Sequence, residues 1–385
     1  MIYTEVLLGD LITTKGGGTP SKKVKEYWDG HIPWASVKDL TGIYLSKTQD
    51  YITEEGLKNS ASNLIPEGNI ILATRMVVGK ACINTFPVAI NQDLRALFCS
   101  DRILPNYLLW FLLSSSHILE RQASGATVKG ITLDAISNLQ IPLPPLEEQK
   151  RIAAILDKAD RIRRKRQEAI RLTEELGRSI FLDMFGDPVT NPKGWEVASL
   201  SKFGEVLTGN TPPRADLDNY GNCIEWIKSD NITTPYHFLT EASEKLSSTG
   251  KKKGRVVPPG SILVCCIAGS KSSIGRAAIA DREVAFNQQI NAVVPNKSVD
   301  TYFLYSQFLV SQNLVQSEST DSMKGLVNKS KFSGIQFLKP PLSKQIEFRE
   351  NFLKFIDIYK CLTASLAESE NLFNSLLQRA FRGEL

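Results

Sequence analysis

The sequence repeats one series of short motifs in the same order, and this repeat restricts the folds that the chain can adopt. The spacing between copies is 192 residues at first and 196 residues later, as if the second copy gained a short loop. A period of about half the chain is too long for a solenoid unit, so it predicts two similar domains. The matched positions are Thr19-Pro20 with Thr211-Pro212, Trp34 with Trp226, Asn91-Gln92 with Asn287-Gln288, and Pro144-Pro145-Leu146 with Pro340-Pro341-Leu342.

Each copy contains both strand and helix patterns. A short apolar run follows a Pro-X-Gly turn in both copies, at residues 65–72 and 257–264, which is typical of a buried strand. Apolar residues at helical spacing follow at 106–122 and 299–313. We therefore predict an α+β fold that contains two similar mixed α/β domains.

A long heptad pattern follows each Pro-Pro-Leu motif. In the first, Ile155, Ile162, Ala169 and Leu176 form one seam; Ala159, Arg166, Thr173 and Ile180 form the other. In the second, the seams are Phe352, Tyr359, Leu366 and Phe373, and Phe348, Phe355, Leu362 and Leu376. Sustained heptads favour two helices paired as an antiparallel coiled coil, with a pseudo-two-fold internal repeat. Two amphipathic helices that each fold onto their own domain are the alternative.

The doubled prolines mark the predicted boundaries. Proline fixes φ, keeps the preceding chain extended and is tolerated at the first helical turn, so each motif predicts a stiff joint between domain and helix. The predicted segments are a first domain at 1–146, a central helix at 147–185, a second domain at 186–342 and a C-terminal helix at 343–385.

Composition and local motifs exclude several functional classes. No run of 18 apolar residues predicts a membrane span, no secretory signal is evident, and we expect a cytoplasmic protein. The six dispersed cysteines predict buried free thiols, and the three histidines are too scattered for a metal site. No phosphate-binding loop occurs, and no Pro-Pro pair has the flanking residues with which amino-methyltransferases grip a base. We expect no catalytic residues, cofactor or metal in this chain.

Three stretches resemble a known family. They are IPLPPLEEQKRIAAILDKAD (141–160), FLDMFGDPVTNPKGWEV (181–197) and the terminal LLQRAFRGEL (376–385). Together with the alternation of two domains and two helices, they are similar to the specificity subunit of type I restriction-modification systems, along the whole chain.

The resemblance implies a non-catalytic DNA-binding subunit. Each recognition domain would read one half of a bipartite, asymmetric double-stranded DNA site, and the helices would set the spacer between the halves. Two methyltransferase subunits, which use S-adenosylmethionine for adenine-N6 methylation, would dock on the chain. Up to two motor-nuclease subunits, which use ATP and Mg, would join them. A bivalent coiled-coil adaptor that binds proteins and no DNA is the competing hypothesis.

The repeat also separates scaffold from specificity positions. Domains that read different half-sites share their scaffold, so Trp34, Asn91-Gln92 and their counterparts are predicted to be structural. Basic residues in the divergent loops are the predicted DNA contacts, to phosphates or guanine edges. In the first copy these are Lys15, Lys22, Lys23, Arg75, Lys80 and Lys129; in the second they are Arg214, Lys251, Lys252, Lys271, Arg276 and Lys324.

The densest basic run lies on the first long helix, at residues 161–166. Three interpretations stay open: a solvated helix face, sequence-independent phosphate contacts over the spacer, or a contact with acidic partner subunits.

Overall fold

The computed structural model describes residues 3–125, 129–232, 237–320 and 325–385. The chain divides into two compact units. Unit 1 consists of Met1–Gln167 and Ala364–Leu385, and unit 2 of Glu168–Thr363. Each unit therefore contains one recognition domain together with one part of each long helix.

In the first half of the chain, the sequence forms short strands, four short α-helices and one long helix. The strands are β1 (Glu5–Leu7), β2 (Ile12–Gly16), β3 (Trp28–Ala35), β4 (Tyr44–Leu45), β5 (Asp50–Ile52), β6 (Leu64–Ile65), β7 (Ile70–Ala73), β8 (Ala81–Asn84), β9 (Val88–Ile90), β10 (Leu94–Cys99) and β11 (Gln140–Pro142). The helices are α1 (Glu54–Lys58), α2 (Pro105–Ser114), α3 (Ser116–Gln122), α4 (Leu133–Ser137) and α5 (Leu146–Phe185).

The second half repeats this series. Its strands are β12 (Val197–Ser199), β13 (Gly204–Thr208), β14 (Tyr220–Ile227), β15 (Lys245–Leu246), β16 (Val256–Val257), β17 (Ile262–Cys265), β18 (Ile267–Ala268), β19 (Ala277–Ile279), β20 (Val284–Phe286), β21 (Ile290–Pro295), β22 (Gly325–Leu326) and β23 (Gln336–Leu338). Its helices are α6 (Ser248–Lys253), α7 (Thr301–Val310), α8 (Gln312–Ser317), α9 (Lys329–Gly334) and α10 (Leu342–Arg382).

The sheets of the two domains have matching strand orders. In domain 1 the orders are β2-β10-β7-β8-β4 and β5-β3-β9-β6; in domain 2 they are β13-β21-β17-β19 and β15-β14-β20-β16. In both domains a long strand with a register shift pairs in parallel with a short buried strand, β3 with β9 and β14 with β20. The prediction of two similar mixed domains is confirmed.

A glutamine lies three residues after each Pro-Pro-Leu motif, and its side chain bonds to both sides of the joint. Gln149 is buried; its Oε1 accepts a hydrogen bond from the backbone N–H of Leu104 at 2.9 Å, and its Nε2 donates to the Pro144 carbonyl at 2.9 Å. Gln345 is also buried and makes the same pair of bonds, at 2.9 and 2.8 Å, with the N–H of Asp300 and the matching proline carbonyl. The side chain ties the joint to the start of α2 or α7, so the joint is hydrogen-bonded as well as stiffened by proline.

The two long helices pack on each other in an antiparallel sense within each unit. In unit 1, the Arg166 guanidinium donates to the Ser365 carbonyl at 2.7 Å, and Arg163 lies 4.9 Å over the Phe373 ring. In unit 2, the Tyr359 hydroxyl donates to Glu174 at 3.2 Å. The predicted pairing of the helices is confirmed.

The predicted seams are only partly correct. On α10, Phe352, Tyr359 and Phe373 are buried as expected. On α5, Ile162 and Leu176 are 41% and 55% exposed, so their predicted place in the seam is wrong. Several other residues of α5 carry the buried contacts instead: Ile152, Ala153, Leu156, Phe181 and Phe185.

Candidate nucleic-acid interface

A guanidinium in unit 2 lies over two aromatic rings. The Arg214 Cζ is 5.1 Å from the ring centroids of both Tyr220 and Trp226. Its two terminal nitrogens donate to the two carboxylate oxygens of Glu244, at 3.2 and 3.0 Å. Lys228 also pairs with Glu244, at 2.8 Å. We call Arg214, Tyr220, Trp226 and Glu244 the cation–aromatic site of unit 2.

Unit 1 has the same site with different side chains. A concavity of about 280 Å³ is lined by Lys22, Trp28, Trp34 and Asp50. These residues occupy the repeat positions of Arg214, Tyr220, Trp226 and Glu244, which makes them the cation–aromatic site of unit 1. Trp28 and Trp34 meet edge to face, with their centroids 5.2 Å apart. Within the described residues, Lys22 has no ion pair, in contrast to Arg214.

The long bulged strand positions both sites. The register of β3 shifts between Trp28 and Ile32, and that of β14 shifts between Tyr220 and Ile224. In an unbroken strand, residues six apart would share a face, and a bulge adjusts the orientation of side chains around it. The indole N–H of the second aromatic residue donates to the glycine-rich loop, from Trp34 to the Gly18 carbonyl at 3.1 Å. In unit 2, Trp226 makes the same bond to the Asn210 carbonyl at 3.3 Å.

In the cation–aromatic site of unit 2, the ion pairs favour the charged forms of Arg214 and Glu244. The hydrogen bond from Arg214 and the bond from Lys228 lower the pKa of Glu244, and the bond to Glu244 raises the pKa of Arg214. Arg214 is exposed and Glu244 is half-buried, so the pairing is partly screened by water and chiefly orients the guanidinium. A guanidinium fixed in its plane can present its remaining N–H groups to a guanine edge or a phosphate.

The Asn-Gln pairs shared by the copies bond within their own domains, whereas Trp34 and Trp226, which were also predicted to be structural, belong to the cation–aromatic sites. Asn91 and Asn287 are buried, and each side chain bonds to the residue two positions later. The exposed Gln92 and Gln288 accept hydrogen bonds from the hydroxyls of Thr19 and Thr211. These bonds hold the glycine-rich loop against the strand that follows β9 or β20.

A second group of predicted contacts lies around one groove in unit 1. Lys80 and Lys129 line a groove of about 450 Å³ beside α3. Arg75 lies close to Lys129 because its backbone pairs with Gly130 in an isolated β-bridge. The Arg75 guanidinium lies 3.9 Å from the Asp93 carboxylate. Gly79 has a φ of +87°, and a Cβ there would lie 3.0 Å from Ser116, so this tight turn requires glycine.

The other predicted residues have different surroundings. Lys15 and Lys23 are exposed, as are Lys252 and Lys271, and the described residues contain no ion pair to any of the four. Arg276 is half-buried. Lys251 forms an ion pair with Glu283 at 2.5 Å, which satisfies its charge within the domain. Lys324 lies outside the described residues.

Four residues of the cation–aromatic sites were missed by the sequence reasoning: Trp28, Asp50, Tyr220 and Glu244. Trp28 and Tyr220 match at the same 192-residue spacing as Trp34 and Trp226, so the repeat contained a signal for the ring positions. Asp50 begins β5 and Glu244 directly precedes β15, and the connections that lead to them differ in length, so a constant spacing does not align the two acidic residues.

The basic run on α5 is mostly neutralised or bonded on its own helix pair. Arg163 and Arg164 each donate to Asp160 at 2.7 Å, and the Asp160 side chain is buried. With Arg166 bonded to the partner helix, Arg161 and Lys165 are the basic residues of the run that are exposed and make no side-chain bond to a described residue. The run therefore serves in part to stabilise unit 1.

The long helices expose apolar side chains at repeat-related positions. Ile162 and Ile358 are 41% and 53% exposed, and Leu176 and Leu372 are 55% and 59% exposed. The members of each pair are 196 residues apart. One isoleucine and one leucine fall in each unit, so the chain carries the same apolar pair twice.

Other chemistry has little support in the described part of the chain. No group of three or more His, Cys, Asp and Glu side chains there has the placement of a metal site. None of its helices combines the length and apolar character needed to cross a membrane. Burial raises the pKa of Cys82 and Cys266 to about 12, which makes them poor nucleophiles. Cys223 and Cys361 are exposed, so the prediction that all the thiols are buried is wrong.

Comparison with known proteins matches both halves to one family. Residues 3–172 and 192–367 match the family model described as the type I restriction modification DNA specificity domain. A type I restriction enzyme specificity subunit of Methanocaldococcus jannaschii is 30% identical over 228 residues, 54% of this chain and 53% of that protein. Another, from Escherichia coli, is 37% identical over 161 residues, 40% of each chain. The matched segments thus span about half or less of these two relatives.

Two solved structures share the fold over nearly the whole chain. A type I restriction-modification system S subunit from M. genitalium has a TM-score of 0.62 at 13% identity, with 98% of this chain and 96% of that chain covered. A structure described as the basis of complex assembly and conformational transition of the type I R-M system has a TM-score of 0.57 at 19% identity, with 100% and 98% covered.

Proposed function

Because this chain belongs to the type I restriction modification DNA specificity family, we propose that it reads a bipartite, asymmetric DNA site. Each recognition domain reads one half-site, and the paired helices set the length of the unread spacer. The chain supplies recognition, and its partner subunits supply methylation and cleavage.

One observation carries this proposal: the two domains build the same site around different cations. The sites share an aromatic pair on a bulged strand and an opposing carboxylate, but the cation is Lys22 in one and Arg214 in the other. A flexible ammonium acts as a point charge, whereas a guanidinium presents a planar fork that fits guanine O6 and N7. The same scaffold with a different reading group is what two half-sites of unlike sequence require.

The proposed partners are two methyltransferase subunits that use S-adenosylmethionine, joined by up to two motor-nuclease subunits that use ATP and Mg. The repeated apolar pairs, Ile162 with Leu372 and Ile358 with Leu176, support two copies of one partner. Exposed apolar side chains at repeat-related positions offer one partner surface twice, which favours a symmetric pair of bound subunits.

The rival function is an adaptor that binds proteins through the helices and no DNA. Salt dependence separates the two. We expect the chain with its methyltransferase subunits to bind a bipartite duplex with an affinity that falls steeply as salt rises, because phosphate contacts release counterions. A complex that assembles normally yet binds duplex DNA with no salt dependence would favour the adaptor.

The division of labour has its own test. We expect the purified chain, given S-adenosylmethionine or ATP and Mg, neither to methylate nor to cut DNA. Mapping N6-methyladenine across the host genome with and without this gene should reveal one bipartite motif that depends on the gene. Methyl transfer by the isolated chain would refute the proposed role.

A further inference from the structure

Unit 2 contains a cavity whose lining includes none of the proposed DNA contacts. Its volume is about 430 Å³, and it lies where α7 meets the parts of α5 and α10 that belong to unit 2. The lining includes Gly177, Phe181, Ser306, Phe352 and Phe355, together with His237. For scale, a cavity of about 150 Å³ in another protein binds benzene.

Comparison of the repeat positions explains why the cavity exists. In unit 1 the equivalent of Ser306 is Trp110, whose ring lies 5.5 Å from that of Phe373. The equivalent of Phe373 is Gly177. Unit 2 therefore has a serine and a glycine where unit 1 has two aromatic side chains in edge-to-face contact. The Phe355 ring packs against Gly177, where unit 1 has Ala159, so the space left open is chiefly that of the Trp110 indole. That volume is large compared with the single methylenes that well-packed cores detect.

The residues around the cavity include two polar groups that lack partners. Ser306 is 3% exposed, and its Oγ has no hydrogen bond within the described part of the chain. Nε2 of His237 also has no hydrogen bond within the described residues, while the Nδ1 of that ring lies 3.0 Å from the Tyr305 hydroxyl. A buried polar atom without a hydrogen-bond partner lowers the stability of the folded state. Rotation of Ser306 about χ1 would turn its hydroxyl toward a ligand in the cavity and supply that partner. Burial lowers the pKa of His237 to about 4, so its ring is neutral near pH 7.

The missing side chains indicate the kind of molecule that fits. In unit 1, the Trp110 indole is flat, bicyclic and bonded through its N–H to Asp157 at 2.8 Å. The unit 2 cavity offers aromatic walls for the ring faces. The Ser306 hydroxyl, once rotated, can accept from a ring N–H, and so can Nε2 of His237 in the tautomer that carries its proton on Nδ1. We propose that this cavity is a binding site for a small, planar, bicyclic heteroaromatic molecule that carries a ring N–H. The site is separate from the proposed DNA contacts, so its test does not depend on the proposed function.

Calorimetric titration of the full chain with indole tests the site. We expect one indole per chain. Ser306→Trp, which fills the cavity with the side chain present in unit 1, should weaken binding at least tenfold. Ser306→Ala should weaken it about fivefold through loss of one hydrogen bond. Asn313→Trp adds an indole at an exposed position nearby and should leave the affinity unchanged. No binding by the natural chain, or equal binding by Ser306→Trp, would overturn the proposal.

A second measurement covers the case in which the tryptophan variant does not fold. In ¹⁵N-histidine spectra of the natural chain, saturating indole should shift the Nε2 resonance of His237. The chain has two other histidines, His31 and His117, both exposed, whose resonances serve as internal controls. A His237 resonance that moves no more than the other two would also overturn the proposal.

Discussion

The two units use the same joints but differ in the side chains that face the long helices. Gln149 and Gln345 make matching buried hydrogen bonds at matching joints. By contrast, Trp110 of α2 fills the space between that helix and the long helices, whereas Ser306 of α7 leaves a cavity at the matching place. The difference shows that the repeat preserves the bonds that orient a helix on its domain, while packing volume and reading groups have changed independently in each copy.

The largest expected effect comes from giving unit 1 the serine of unit 2. Trp110→Ser removes a buried indole and one of two N–H donors to the Asp157 carboxylate, the other being Asn106. Loss of a buried tryptophan costs about 3–5 kcal/mol of the free energy of unfolding, measured by urea denaturation. Leu217→Ser, at a 79% exposed position, is the control and should change stability by less than about 0.5 kcal/mol. A Trp110→Ser chain as stable as the control would mean that the packing difference between the units has no energetic weight.

The second prediction uses a buried histidine, His237, which has no buried counterpart in unit 1. Burial holds the pKa of His237 at about 4, below its ordinary value of about 6.5, among the aromatic groups of Tyr305 and Tyr359. Between these two pH values the unfolded chain binds the extra proton, so stability falls as pH drops through this window and levels off below about 4. The loss amounts to about 3 kcal/mol.

The variant His237→Phe should remove this pH dependence, as followed by urea denaturation between pH 7 and pH 4. His117→Phe changes an exposed histidine and serves as the matched control. If both variants retain the same pH dependence as the natural chain, carboxylates elsewhere are responsible, and the contrast between the units is not expressed in this way.

The smallest expected effect concerns the lysines of α6. Lys251 pairs with Glu283 and Lys253 with Asp216, whereas Lys252 is exposed and forms no ion pair with a described residue. Lys252→Ala should reduce the salt slope of DNA binding by about one unit, the change expected for one lost phosphate contact. Lys251→Ala is the control, and it should change the slope less because its charge is already compensated. Equal changes in the two slopes would mean that the internal ion pair does not decide which lysine meets DNA.

Much of the fold could be predicted from the sequence because the repeat is linear. The Pro-Pro-Leu joints are local and the heptads are regular, so the domains and the helix pair could be predicted from them. The bond from each glutamine to the start of α2 or α7 joins residues 45 positions apart, so it could not. The α5 seam was partly wrong at Ile162 and Leu176, since apolar periodicity marks a covered face without saying whether the covering surface belongs to the same chain.

Less of the candidate site could be predicted. Lys22 and Arg214 were identified as basic loop residues, but their shared place beside an aromatic pair depends on the bulge in β3 and β14. The pairing of Lys251 with Glu283 joins residues from separate elements, so sequence position alone could not show that this charge is satisfied. Likewise, the cavity at Ser306 depends on three helices meeting, which no local pattern encodes.

Domain exchange followed by methylation mapping tests the central claim most directly, which is that the chain holds two independent readers on one scaffold. Residues 1–146 would be replaced by the equivalent domain of another specificity subunit, with both helices and residues 186–342 kept. N6-methyladenine mapping in cells with the methyltransferase subunits should then show one new half-site, the other half-site unchanged and the spacer unchanged. If both half-sites changed together, the two domains would be reading DNA as a single unit, and the account would be contradicted.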